Sequence, residues 1–125
     1  MTNAGFRELN EYELAILLRL LKPANLVTED TWEQLPGCRV REIRNYSDNY
    51  GSIEFDSAHS LQVPAELVVV EATSQDRDRV PVMFVLHARG HVVTELEVVK
   101  VDGSPLIERP HPETLTVAEY HISPR

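Results

Sequence analysis

The stretch VPVMFVLHARGHVVTELEVVK, residues 80–100, decides the fold. It joins two runs of valine, leucine and phenylalanine through Ala88-Arg89-Gly90. Strand-forming residues on either side of a glycine are the mark of an antiparallel hairpin. A three-residue loop with Gly90 in the left-handed region sets Leu86 against Val92, Phe84 against Thr94, Val82 against Leu96 and Val80 against Val98. Facing residues share one side of a sheet, so this register gathers those valines and leucines with Phe84 into one apolar face. A two-residue loop would set Phe84 against Glu95 and Val82 against Glu97, which argues for the longer turn. His87 then faces His91 at the turn end of the other, mixed face.

Two neighbouring imidazoles are the beginning of a zinc site, but a structural site takes about four ligands and a catalytic one about three. The expected register supplies no third. Glu95 lies four residues further along the strand, and His59, His111 and His121 have no spacing that points to the pair. The sequence therefore predicts no metal site and no cofactor. Arg39 and Arg41 alternate on one face of a neighbouring strand and form a basic stripe able to hold a carboxylate or phosphate, or to pair with adjacent acids; Arg44 follows them. His87, His91, Arg39 and Arg41 are the candidate ligand-binding residues.

Working back from the hairpin, CRVREIRNY and GSIEF read as a strand pair, with Gly51 at a turn and Asp48 and Asn49 as turn formers. HSLQVPAE breaks the alternation. LVVVEAT reads as a strand apolar on both faces. Near the N-terminus Asn10 and Glu13 have capping-box spacing. They open a helix from about Glu11 to Lys22, where Leu14, Leu17, Leu18 and Leu21 make one stripe and Ile16 and Leu20 widen it. Pro23 ends that helix. Thr28 caps a short second helix, EDTWEQL, which Trp32 and Leu35 are expected to fold onto the first. After Lys100 the Asp102-Gly103-Ser104-Pro105 turn leads into a proline-rich tail, expected to be an extended cover with an edge strand at Leu115 to Tyr120. The order predicts a single α+β domain over residues 1–125: an antiparallel sheet of four to six strands with the Leu-rich helix and the short second helix on one face.

Composition narrows the function. Apolar residues make up 42% of the 125-residue chain and charged residues 26%, enough for a packed core. A net charge of -8 repels phosphate backbones, so nucleic acid is not an expected partner and a basic protein or peptide is. The first residues lack the basic start and apolar run of a secretory signal, and no run approaches the ~20 residues that span a bilayer. With Cys38 the lone cysteine, a cytoplasmic location is expected. Cys38 itself begins an apolar strand and reads as a small buried hydrophobe. No nucleophile elbow, zinc-protease motif or phosphate-cradling glycine loop is present, and no catalytic residue is assigned.

Three segments, FRELNEYELAILLRLL, VREIRNYSDNYGSIEF and VTELEVVKVDGSPLIERP, resemble a family of small single-domain bacterial proteins of unknown function. The shared features are the Leu-rich helix, the strand Gly51-Ser52-Ile53-x-Phe55, and the late segment Glu95, Leu96, Lys100, Asp102, Gly103, Ser104, Pro105, Leu106. The resemblance implies an α+β domain and carries no activity. Two functional expectations follow: a non-catalytic protein-binding or regulatory module of immunity-like type, and a small enzyme or ligand-binding domain with a His/Arg pocket beside the sheet. Self-association through the wide helix or an unpaired sheet edge, giving a homodimer, is compatible with both.

Overall fold

The computed structural model describes residues 5–43, 50–64 and 67–122. Asn10 and Glu13 cap each other, and helix α1 (Glu11–Leu21) follows. Its Ile16, Leu17, Leu20 and Leu21 are fully buried, so the stripe is as wide as the leucine spacing implied. Each such side chain contributes about 1.5–3 kcal/mol of transfer free energy. Lys22 to Ala24 tighten into a 3-10 turn around Pro23. Thr28 caps α2 (Glu29–Gln34), whose Thr31, together with the following Leu35, is buried. Trp32 corrects the sequence reading: it is 52% exposed. Thr31, one residue earlier, takes the inward position and donates to the Leu26 carbonyl at 3.2 Å.

Seven antiparallel strands follow the order β1-β2-β3-β6-β5-β4-β7 among the described residues. They are β1 (Arg7–Glu8), β2 (Arg39–Glu42), β3 (Ile53–Phe55), β4 (Leu67–Gln75), β5 (Pro81–Arg89), β6 (Val92–Lys100) and β7 (Thr116–Ile122). The α+β class stands, with more strands than the four to six expected. The two-residue β1 is too short to carry any period, and it exists because Arg7 and Glu8 pair with Val40 and Arg39. The β2–β3 hairpin forms as expected, with Gly51 at φ +93°; the turn residues Arg44, Asp48 and Asn49 lie outside the described residues. HSLQVPAE broke the alternation because it belongs to the crossover from β3 to β4. Leu61 and Val63 are buried on the way, and the Val63 N–H donates to the His91 carbonyl at 2.8 Å.

The hairpin β5–β6 forms in a different register from the expected one. The turn is Gly90-His91, with Gly90 at φ +64°, and Arg89 pairs with Val92. A bulge then leaves Thr94 unpaired: Ala88 faces Val93, whereas His87 faces Glu95 and Leu86 faces Leu96. The physical reason lies in spacing. Val93 and Leu96 stand an odd number of residues apart, so a regular strand would turn one of them to solvent. One extra residue resets the alternation, and both are buried, at 0% and 2% exposure. The Thr94 hydroxyl donates to the His87 carbonyl at 3.2 Å, which satisfies a group that the bulge removes from the ladder.

The apolar face of the sheet carries Val40, Ile53, Val70, Ala72, Val82, Phe84, Leu86, Leu96 and Val98, and these join the α1 side chains in one buried cluster. β4 corrects another expectation. Val70 and Ala72 are buried, but Val69, Glu71 and Thr73 on its other face are only half-buried, so the strand is apolar on one side. Beyond β6 the tail wraps over the helix side. Tyr12 Oη donates to the Pro110 carbonyl at 2.7 Å and Arg19 donates to the Leu115 carbonyl, before the chain joins the sheet as edge strand β7. Among the described residues no helix is long and apolar enough to cross a membrane.

Candidate functional site

α1 and the tail pack over one side of the sheet, and among the described residues no helix covers the other. Cross-strand pairing places Arg41, Glu54, Glu95, His87 and Val69 in one row on that side. The next row holds Glu97, Val85 and Glu71, and the next Val99, Met83 and Thr73. All of these side chains are half-buried, none fully. Carboxylates outnumber guanidiniums here, and they flank an apolar strip of Val69, Val85, Met83 and Val99. Arg41 bonds Glu54 at 2.5 Å and stacks over the Phe6 ring at 4.4 Å.

The densest part of this face is His87, Glu95 and Glu97. His87 Nε2 lies 3.0 Å from Glu97 Oε1. Burial pushes the Glu95 carboxyl above the usual carboxylate range; His87 draws it back, while Glu97 and Glu54 push it further up. One atom from each of the three residues lies within 4.8 Å of the others. An imidazole and two carboxylates so arranged can share a proton or hold a cation.

The candidate residues fall in three places. Arg41 and His87 share a row of the open face, separated by Glu54 and Glu95. Arg39 sits near the β1 edge, donating to the Pro36 and Cys38 carbonyls with Glu8 at 3.8 Å. His91 is in the turn, where its Nδ1 donates to the Val63 carbonyl at 3.0 Å. The expected His87–His91 pair therefore does not form, because the bulge shifts the register and sets Glu95 opposite His87. Glu95, set aside in the sequence as too far along the strand, and Glu97, which the sequence does not single out, are the residues that the pairing adds at this site.

A second missed group is buried at the far end of the hairpin. The Lys100 ammonium, fully withdrawn from solvent, donates to Asp76 Oδ2 at 2.8 Å, Asp78 Oδ2 at 2.7 Å and the Pro105 carbonyl at 3.1 Å. Asp76 also accepts the backbone N–H groups of Arg77, Ile107 and Glu108. Burial alone would raise the Asp76 carboxyl, but Lys100 and these N–H groups outweigh it and hold it well below the usual range. This explains physically why Lys100 and the turn Asp102 to Pro105 occur together: the turn presents the carbonyl and the tail amides to the ion pair. Cys38 is buried, and its thiol is pushed up by burial, as fits a packing residue. A cavity of about 710 Å³ opens beside the ion pair, between the ends of β4 and β7, with Arg77, Arg109 and His111 on its walls.

Residues 6–110 match the model of one protein family, described as a domain of unknown function (DUF6984). No curated protein and no solved structure matches the chain.

Proposed function

The chain belongs to this family of unknown function, and from the chemistry of its open face we propose that it is a non-catalytic binding module that docks a basic protein or peptide segment. The observation that carries the reading is the row Arg41–Glu54–Glu95–His87–Val69 with the neighbouring Glu97, Val85 and Glu71. An acidic, half-buried surface around an apolar strip offers contact area and long-range attraction to a cationic partner, and the net charge of -8 adds steering. The immunity-like role expected from size and charge is a member of this class.

The test is fluorescence anisotropy of an extended Lys/Arg-rich peptide titrated with the full chain. The reading expects saturable binding that weakens with salt, weakens again in Glu71→Lys, and is absent for an acidic peptide of equal length. Equal binding of basic and acidic peptides would refute it, and so would concentration-dependent self-association that consumes the same face.

A further inference from the structure

The His87, Glu95 and Glu97 cluster points to more than surface charge. We propose that these three side chains form a binding site for one divalent transition-metal ion, zinc by its donor set, seated on the open face between β5 and β6.

All three donors stand on the paired nine-residue strands β5 and β6, inside the sheet rather than in a loop, where backbone pairing limits their freedom. The bulge at Thr94 is what sets Glu95 opposite His87, and Glu97 lies one step along the same face. Bulges recur where a strand must re-aim a side chain. The donor atoms already lie within 4.8 Å of one another, and His87 and Glu97 touch at 3.0 Å. Ligands of a tetrahedral zinc with bonds of about 2.0–2.2 Å are separated by roughly 3.4 Å. Small rotations of two glutamate side chains close that difference.

Charge supplies an independent reason. Among the described residues no guanidinium or ammonium is paired with Glu95 or Glu97, and Arg41 in the same row is bonded to Glu54. Among the described residues an imidazole is the one partner beside these two like charges, and a dication compensates both. The imidazole selects the metal class. Magnesium and calcium prefer all-oxygen shells, whereas zinc and its neighbours accept nitrogen with carboxylate. Three protein ligands leave at least one coordination position open to water or to a donor from a docked molecule. The proposal does not depend on the partner reading, since the metal alone is its probe.

The experiment is calorimetric titration of chelator-treated full-length protein with Zn²⁺, repeated in excess Mg²⁺. One ion per chain is expected, undisturbed by Mg²⁺, with His87→Gln and Glu97→Gln each weakening binding on the order of tenfold or more. His91→Gln, whose imidazole is held by Val63, is expected to bind as the parent does. Circular dichroism of the metal-free variants checks that they fold. For a variant that does not, the histidine ring resonances of the parent decide: zinc shifts His87 and leaves His59 and His111 in place. Binding retained in His87→Gln, loss in His91→Gln, perturbation of other histidines instead, or absence of one-to-one saturation overturns the proposal.

Discussion

Lys100 and Asp76 form an ion pair with both side chains wholly removed from solvent, 2.8 Å apart, at the point where the β4–β5 turn, the end of β6 and the C-terminal tail meet. The two partners are not equivalent. Lys100 is held by Asp76, Asp78 and a carbonyl, whereas Asp76 holds Lys100 and the amides of three other residues. Removing Asp76 orphans more buried groups than removing Lys100. Asp76→Ala is therefore expected to lower Tm by on the order of 10 °C. Lys100→Met is expected to lower it by less, because three backbone amides still donate to the Asp76 carboxylate. Differential scanning calorimetry of both variants checks the order.

The same carboxylate sets an acid limit. In an unfolded chain aspartate titrates near about pH 3.9, whereas Asp76 in the fold stays charged well below that. Below about pH 4 the unfolded state takes up a proton that the folded state does not, so stability falls with pH there and is intact above it. Urea denaturation across this range is expected to show the slope in the parent and a flatter one in Asp76→Asn.

Trp32 separates the structure from the simpler reading of its sequence. As the only tryptophan and half exposed, it is expected to be readily quenched by acrylamide, and Trp32→Ala to cost less than about 1 kcal/mol. Leu17→Ala, at 0% exposure, is expected to cost about 2–5 kcal/mol. Equal costs would place α2 differently on the core.

The bulge makes a sharper prediction. Thr94→Ala loses a single exposed hydrogen bond and is expected to cost about 1 kcal/mol or less. Deleting Thr94 leaves Val93 and Leu96 two residues apart, both on the buried face of a now regular ladder, so this variant is expected to keep a cooperative unfolding transition, as followed by circular dichroism.

These contrasts show what the chain discloses on reading. Asn10 with Glu13, Thr28 with its acidic turn, and the leucine stripe are local patterns, and the helices form where they predict. Leu86, Phe84, Val82, Leu96 and Val98 share the buried face as the alternation implied, because on their side of the bulge the register slips by an even number of residues; turnward of Thr94 the slip is odd, and Val93 is buried in place of the expected Val92. The pairing itself is non-local. A single unpaired Thr94 moved Glu95 opposite His87, and nothing in the residue types announces a bulge except Val93 and Leu96 at an odd spacing. Trp32 faces out and Thr31 in because hydrophobicity does not decide which of two adjacent helical residues faces inward. Lys100 and Asp76 were beyond reach for another reason: they are twenty-four residues apart and meet only through the hairpin.

Docking of a basic segment is proposed for the uncovered face of the sheet. Backbone amide shift mapping by NMR during titration with a Lys/Arg-rich peptide tests it most directly. Perturbations are expected to concentrate at Arg41, Glu54, Glu95, His87, Val69 and Val85, with α2 and the Arg77–Arg109 cavity unmoved. Shifts centred on Trp32 or on that cavity, or none at saturating peptide, would contradict it.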